Sequence, residues 1–259
     1  MVKKIIGSAL AISRFLLLVL TMAIFTGFGF ILIYRRLFKQ QLAFKIRTIW
    51  CKLACSILGI KIYKTGHLDV SQPQLYVGNH RSLIDPVVIF SFLNNGYAVS
   101  KSEVEKYPLI SQGAKLSGVI FVHRNNTESR FLAKNSILEN LNNNRSILIF
   151  PEGTISITRE LLPFKKGSIE SAVAAGKKVS FFAIEYMNPK RDFWWNEHLL
   201  QQFITTFSKW KTEVRIHFFD SEIPTDPLNF TEKMSTKIQE KLFDFQTNWQ
   251  NENIPDLLR

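Results

Sequence analysis

Cysteine is scarce in this chain, which has only Cys51 and Cys55 among 259 residues. The two lie in a stretch with helical patterning, at a spacing where a natural disulfide does not form. Two thiols also fall short of the four ligands of a structural zinc site. The sequence therefore excludes a disulfide framework, predicts no metal site, and leads us to expect that both cysteines pack inside the protein.

Acidic residues are also few, with 21 Asp and Glu against 33 Lys and Arg, a formal net charge of +12. A charge this positive favours an anionic partner, which is a lipid surface, an acidic substrate or carrier protein, or nucleic acid. The length suffices for one sizeable α/β domain with a short appendage.

Charge is absent altogether from FLLLVLTMAIFTGFGFILIY, residues 15–34. At about 1.5 Å per residue this run is long enough to cross a hydrocarbon core of about 30 Å. It ends in Arg35 and Arg36 rather than in a small-residue cleavage site, and basic residues are more frequent after it than before it. This asymmetry predicts a cytoplasmic main domain. Arg14, at the edge of the run, leaves open a helix embedded in one leaflet. A membrane helix favours a lipid surface over nucleic acid as the anionic partner.

The next segment, QQLAFKIRTIWCKLACSILGIKIY, mixes bulky apolar and cationic residues at helical spacing. It predicts either an amphipathic helix in the membrane interface or an ordinary helix packed on a sheet. The aromatic-rich segment 193–210 has the same two interpretations, a second membrane contact or a core helix. We therefore expect membrane-anchoring helices over residues 1–59 and one domain over residues 60–259.

From residue 60 onward, short apolar runs alternate with helical stretches. This alternation predicts an α/β fold with a mixed, largely parallel sheet covered by helices on both faces. The expected strands are IKIYKTG, QLYVGN, GYAVSK, VIFVHR, SILIFPEG, KVSFFAIEY and TEVRIHFF, and the expected helices cover about 86–94, 106–117, 127–143, 164–176 and 230–248.

The stretch VGNHRSLIDPVV contains His80 and Asp85 at a spacing that would not bring them together on one helix. Proline favours the first turn of a helix, so we expect Asp85 as the N-cap and Pro86 as the first helical residue. His80 then lies on the turn after a strand, where Asp85 can reach its imidazole. The plainer alternative is a turn histidine beside a helix cap.

Two further stretches place polar residues where strands end, which is where functional groups gather in open α/β sheets. GVIFVHR brings Arg124 to the end of a strand, and FPEGT, residues 150–154, forms a turn after a buried strand. PFKKGS follows and opens the next helix with Lys165 and Lys166. Each has a plain alternative, namely a solvated strand end, a tight turn or solvated helix-start charges.

Taken in order, His80-x4-Asp85, the stretch 118–124 and the stretch 150–154 resemble the glycerolipid acyltransferase family. The resemblance covers about Ile60 to Phe219. It implies a glycerol-3-phosphate acyltransferase-like fold on a membrane, as at the bacterial inner membrane. The implied reaction moves a fatty acyl group from acyl carrier protein or coenzyme A to the sn-2 hydroxyl of lysophosphatidate. No cofactor is implied beyond this acyl thioester, which is a co-substrate.

The resemblance gives His80 the role of general base and Asp85 that of orienting its ring. A neutral imidazole is well suited to take a proton from an acceptor hydroxyl near pH 7. The logic is that of the Ser-His-Asp triad, with the hydroxyl of the substrate replacing Ser, so neither an acyl-enzyme nor a metal is needed. Ser82, close to His80 on the same turn, is expected to position or bind substrate rather than to act as a nucleophile.

The resemblance also assigns the acceptor headgroup to Arg124 and to the turn Glu152-Gly153-Thr154. Arginine and backbone N–H groups are the usual partners of phosphate. A carboxylate does not bind phosphate directly, so Glu152 is expected to order Arg124 or to contact an acceptor hydroxyl. Lys101, at the end of the strand YAVSK, is a further candidate cation.

The chain departs from the family pattern at two positions. Ile155 stands where the family often has arginine after FPEGT, and Ser180 stands where a proline is common in the later strand. The missing cation, for which Arg159 is a candidate substitute, leaves the headgroup open. Another lyso-lipid such as lyso-ornithine lipid, glycerol 3-phosphate, and a non-catalytic lipid-binding relative are the alternatives.

Overall fold

Seven strands form one sheet in the computed structural model, which describes residues 2–122, 127–194 and 198–248. In chain order the strands are β1 (Ile60–Gly66), β2 (Leu75–Gly78), β3 (Tyr97–Lys101), β4 (Val119–Val122), β5 (Ile147–Ile149), β6 (Val179–Tyr186) and β7 (Thr212–Phe218). Their spatial order is β1-β7-β6-β2-β5-β3-β4. Only the pair β6 and β7 is antiparallel, which confirms the predicted mixed, mostly parallel sheet.

Helices flank this sheet on both faces. They are α1 (Val2–Tyr34), α2 (Gln40–Ile57), α3 (Asp85–Phe90), α4 (Pro108–Leu116), α5 (Thr127–Asn142), α6 (Gly167–Ala174), α7 (Pro189–Asp192), α8 (Leu199–Phe207) and α9 (Pro227–Asn248). A short 3₁₀ helix covers Ser102–Lys106. Helices α2, α3 and α8 share one apolar core with the sheet, and α5, α6 and α9 share a second core on the opposite face. The central strand β6 is buried at every position because both cores meet on it.

Helix α2 faces both the core and the outside. Cys51 and Cys55 are buried in the core, as expected, and burial raises the pKa of each thiol to about 12. The outer face exposes Ile49 and Leu53 beside Lys52. The helix therefore packs on the sheet and also presents the apolar and cationic surface of an interfacial helix.

The aromatic segment 193–210 contains α8, and residues 195–197 of it lie outside the described residues. Phe193, Phe203 and Phe207 are buried, whereas Trp210 is 77% exposed. The core interpretation therefore holds for these three phenylalanines.

Helix α1 is long and apolar enough to cross a membrane, yet it packs along the domain. Near its start, a Cβ added to Gly7 would lie 2.7 Å from the carbonyl oxygen of Ser208, and near its end one on Gly29 would lie 2.9 Å from Leu116. These contacts are about 33 Å apart along the helix. The opposite face exposes large apolar side chains, including Ile5, Ile12, Leu16, Leu20, Ile24, Phe28 and Ile31.

Arg14 joins α1 to the end of α8. Its guanidinium is buried and donates to the carbonyl oxygens of Phe207 at 2.9 Å, Lys209 at 2.7 Å and Trp210 at 2.8 Å. Carbonyl groups at a helix end lack intrahelical partners, so a cation there is favourable. Arg47 on α2 is buried in the same manner, against the carbonyl oxygens of Gly96 and Ser117.

We expect Arg14→Ala to lower the free energy of unfolding by about 2–3 kcal/mol, because hydrogen bonds made by a charged donor contribute about 1.5–3 kcal/mol. Thermal unfolding of the full chain in detergent measures the effect. Arg35→Ala, at an exposed position beyond α1, is the matched control and should change stability little. Equal losses in the two variants would show that Arg14 does not hold α1 to the domain.

Candidate active site

The loop after β2 is fixed to the centre of the sheet before it reaches His80. The amide of Asn79 accepts from the backbone N–H of Ile184 at 2.8 Å and donates to its carbonyl oxygen at 2.9 Å. A Cβ on Gly78 would lie 2.2 Å from the ring of Phe182, so glycine is needed where this ring crosses the strand. Gly78 and Asn79 therefore hold the start of the His80 loop against β6.

His80 and Asp85 are in contact. The Nδ1 atom of His80 lies 2.8 Å from Oδ2 of Asp85, and the imidazole stacks on the ring of Phe150 with centroids 4.3 Å apart. The His80 side chain is 15% exposed, and the Asp85 side chain is fully buried. The ring is thus held on one edge and on one face while it still reaches solvent.

Asp85 is not the N-cap of α3, so that part of the sequence interpretation was wrong. Ile84 is the cap residue and Asp85 the first helical residue. The carboxylate instead turns back and accepts the backbone N–H groups of Arg81 at 2.6 Å and Ser82 at 2.8 Å. The spacing between His80 and Asp85 therefore allows the loop to close around the Asp85 carboxylate.

A fourth donor approaches Asp85 from the sheet. The hydroxyl of Tyr186, at the end of β6, donates to Oδ1 of Asp85 at 2.6 Å. Burial, and next the Asp85 carboxylate, raise the pKa of Tyr186 well above its ordinary value, so this hydroxyl keeps its proton. A carboxylate that already accepts three donors acts as acceptor toward His80 as well. Nδ1 therefore carries the ring proton, and the lone pair of Nε2 is available as a base.

Glu152 supports the His80 loop from the FPEGT turn. It is buried, and its two carboxylate oxygens accept the backbone N–H groups of His80 at 2.6 Å and Leu162 at 3.1 Å. Burial raises the pKa of Glu152. Glu152 thus contacts two backbone donors, while its expected contact with Arg124, which lies outside the described residues, or with an acceptor hydroxyl stays a prediction. Gly153 has φ of 75°, which glycine adopts without strain, and Thr154 is exposed.

Arg81 and Glu185 form a buried ion pair beneath the loop, and neither residue was among those predicted from the sequence. Nη2 of Arg81 lies 3.2 Å from Oε2 of Glu185, and both side chains are almost fully buried. Nη1 donates to the hydroxyl of Ser156 at 2.9 Å and to the carbonyl oxygen of Thr158 at 2.6 Å. The available sequence signals were an arginine directly after the motif histidine and the dipeptide Glu-Tyr ending a buried strand.

The remaining predicted residues are distributed as follows. Ser82 is buried, and its hydroxyl accepts the backbone N–H of Ile84 at 3.3 Å, which favours positioning over substrate contact. Lys101 ends β3, whose carboxyl end lies at the same edge of the sheet as those of β2 and β5. Arg124 lies outside the described residues. Arg159 donates from Nε to Gln246 on α9 at 3.0 Å, and Lys166 pairs with Glu170.

This geometry provides a partly exposed imidazole with a free Nε2. A carboxylate orients the ring, which lies at the carboxyl edge of the parallel strands. Within the described ranges, no group of three or more His, Cys, Asp and Glu side chains could hold a metal ion. The chemistry that these groups can perform themselves is removal of a proton from a bound hydroxyl.

Residues 59–186 match the Acyltransferase family, which confirms the resemblance seen in the motifs.

Among curated relatives, a lyso-ornithine lipid O-acyltransferase from Pseudomonas aeruginosa is 34% identical over 137 residues, covering 53% of this chain and 52% of the relative. A 1-acyl-sn-glycerol-3-phosphate acyltransferase from Borreliella burgdorferi is 30% identical over 142 residues, covering 54% and 57%. The chain thus spans about half the length of these relatives. The crystal structure of a 1-acyl-sn-glycerophosphate acyltransferase from Thermotoga maritima has a TM-score of 0.72 at 20% identity, covering 96% of this chain and 99% of that one, and so shares the fold.

Proposed function

We propose that this protein is a membrane-bound O-acyltransferase that moves a fatty acyl group from an acyl thioester to the free sn-2 hydroxyl of 1-acyl-sn-glycerol 3-phosphate, giving phosphatidate. The observation that carries the proposal is the 2.8 Å contact between Nδ1 of His80 and Asp85, which leaves Nε2 free as a base. Asp85 orients the ring and stabilises the imidazolium when it forms.

The reaction balances with these groups. Nε2 of His80 takes the hydroxyl proton as the oxygen attacks the thioester carbonyl, forming a C–O bond. The tetrahedral intermediate then collapses and the C–S bond breaks. The leaving thiolate receives the proton from the imidazolium, so the products are the ester and a free thiol, and His80 returns to its starting state.

The acceptor headgroup would bind at the carboxyl edge of the sheet. Lys101, Arg124 and the turn Gly153-Thr154 are the proposed ligands, by resemblance to the family. Cationic groups and backbone N–H donors are suited to a phosphate. Glu152 takes the supporting role that its two backbone hydrogen bonds indicate.

A lyso-ornithine lipid is the second candidate acceptor. Relatives from Pseudomonas aeruginosa and Rhizobium meliloti that are 34% and 31% identical are named for that activity. Ile155 replaces the cation that often follows FPEGT. Arg159, the candidate substitute, contacts Gln246 on α9.

The membrane attachment would come from the exposed apolar faces of α1 and α2. Because α1 contacts the domain from Gly7 to Gly29, it holds the domain close against the lipid. We place the domain on the cytoplasmic side, where acyl carrier protein and coenzyme A thioesters are found. The net charge of +12 would attract these acidic donors and anionic lipids.

A panel of acceptors against both donors tests the proposal. The protein in nanodiscs is given a labelled acyl thioester of acyl carrier protein or coenzyme A together with lysophosphatidate, lyso-ornithine lipid or glycerol 3-phosphate. Products are identified by mass. We expect phosphatidate and one free thiol per ester formed. A product from lyso-ornithine lipid alone would reassign the acceptor. No thiol release with any acceptor would favour a non-catalytic lipid-binding protein.

A further inference from the structure

The hydroxyl of Tyr186 is the contact between the Asp85 carboxylate and the centre of the sheet. Tyr186 is 2% exposed, at the end of β6, and donates to Oδ1 of Asp85 at 2.6 Å. The other three donors to Asp85, which are His80 Nδ1 and the backbone N–H groups of Arg81 and Ser82, all bind Oδ2 and belong to the motif loop itself.

We propose that Tyr186 is a positioning residue for the reaction, which fixes the Asp85 carboxylate and, through it, the His80 ring. The inference rests on the proposed function, because it requires that His80 act as a base.

Geometry supplies the first reason. Tyr186 is the donor to Oδ1 among the described contacts, so its loss would leave a buried carboxylate oxygen without that partner. Oδ2 would still accept its three loop donors, but the carboxylate would lose the contact that fixes Oδ1 and with it the rotation of the group. A change in that rotation moves the His80 ring, since the ring is held by the same oxygen.

Electrostatics supplies the second reason. A hydrogen-bond donor on Oδ1 draws negative charge away from Oδ2. Without it, Asp85 attracts an imidazolium more strongly than it does in the unchanged protein. The activity that depends on neutral His80 should then begin at higher pH.

Other charged groups surround this contact. Arg81 and Glu185 form the ion pair behind the loop, Glu152 accepts from the His80 backbone, and Asp192 faces Tyr186. Burial raises the pKa of Asp192 to about 6, while Lys209 opposes the shift, so Asp192 can titrate within the range of an activity profile. All these groups are retained when one hydroxyl is removed, and a difference between two profiles therefore isolates the hydroxyl.

The test compares Tyr186→Phe with Tyr76→Phe, each made in the whole chain and placed in nanodiscs. Tyr76 is 1% exposed, and its hydroxyl donates to the carbonyl oxygen of Asp69 at 3.1 Å, away from the motif loop. The kcat/KM for acyl transfer from the preferred donor to the preferred acceptor is measured from about pH 5 to about pH 9, a range that brackets an imidazole titration.

For Tyr186→Phe we expect kcat/KM near neutral pH to fall about tenfold, equivalent to ~1.4 kcal/mol. The acid limb should move up by about half to one pH unit. The acceptor KM should stay close to its original value, because Tyr186 is buried and its hydroxyl contacts Asp85. 4-Aminophenylalanine at position 186, which keeps a ring and a donor, should restore much of the profile. Tyr76→Phe should leave the limb in place.

A Tyr186→Phe profile that superimposes on that of the unchanged protein would overturn the inference, as would a loss uniform with pH and matched by Tyr76→Phe. Poor folding does not obscure the result, since the midpoint of the limb does not depend on how much enzyme is folded. If the unchanged protein transfers no acyl group, or if His80→Ala is as active, the proposed function fails and the inference with it. If the enzyme is active and depends on His80, but the acid limb of the pH profile does not move in Tyr186→Phe, the inference is wrong and the proposed function stands.

Discussion

His80→Ala is expected to lower acyl transfer by about a hundredfold to ten-thousandfold, the range that general acid–base catalysis contributes. The loss should fall on kcat, with the acceptor KM little changed, because the ring acts on the hydroxyl proton in the transition state. The protein should still fold. Asp85 keeps three donors without the imidazole, which are the backbone N–H groups of Arg81 and Ser82 and the hydroxyl of Tyr186.

The measurement is thiol release and ester formation by purified protein, with membrane association and thermal unfolding followed in parallel. His67→Ala, which removes an exposed histidine in the loop after β1, is the matched control and should keep full activity. Near-normal turnover in His80→Ala would show that the assigned base is wrong. A variant that no longer unfolds cooperatively would show that His80 is needed for folding. We do not expect this, because its ring is partly exposed.

The strands could be predicted from the sequence because each is a short apolar run bounded by turn residues. The buried strand β6 is the clearest case, since the uninterrupted run VSFFAIEY follows from burial on both faces. The helix that follows β6 could not be predicted. This helix, α7, has only four residues and therefore shows no helical periodicity in the sequence. The long apolar run of α1 indicates from the sequence that this helix can contact lipid. Where α1 packs on the domain could not be predicted, because that depends on contacts with residues far along the chain.

The candidate site was predictable where its chemistry is local. His80 and Asp85 belong to one loop, so their spacing and the following proline indicate that they meet. The N-cap interpretation of Asp85 was wrong because capping and loop closure both use a short acidic side chain before proline, and the spacing does not distinguish them. Tyr186 and Glu185 are about a hundred residues further along the chain and contact the loop only because β6 lies beside β2. No spacing rule connects residues at that distance.

The buried ion pair of Arg81 and Glu185 also joins elements that are distant in sequence. The Arg81 guanidinium contacts the loop after the FPEGT turn through Ser156 and Thr158, and Gln246 of α9 donates to Glu185 at 3.0 Å. Burial raises the pKa of Glu185, and Arg81 is the largest of the contacts that oppose the shift. The pair therefore holds the residue next to His80 between the sheet, the second loop and the last helix.

Arg81→Ala is expected to lower the free energy of unfolding by about 3–5 kcal/mol, since removing one partner leaves the other charge buried without compensation. Glu185 would then hold its proton in the folded protein to a higher pH than in the unfolded chain. Below the pKa of the unfolded chain, Glu185 is protonated in both states and does not weaken the fold. As the pH rises toward the pKa of the folded protein, the unfolded chain releases this proton first, and the folded state becomes less stable relative to it. The deficit relative to the unchanged protein should thus grow from about pH 5 to about pH 8, as denaturant unfolding in detergent measures.

Two variants separate this expectation from a general loss of packing. Arg81→Met combined with Glu185→Gln removes both charges at similar volume and should recover much of the stability, because no charge is then left buried alone. Lys233→Ala, which breaks an exposed ion pair with Glu222, should cost less than about 1 kcal/mol. If the double variant is no more stable than Arg81→Ala, the cost lies in the lost contacts of the guanidinium with Ser156 and Thr158, and not in the charge of Glu185.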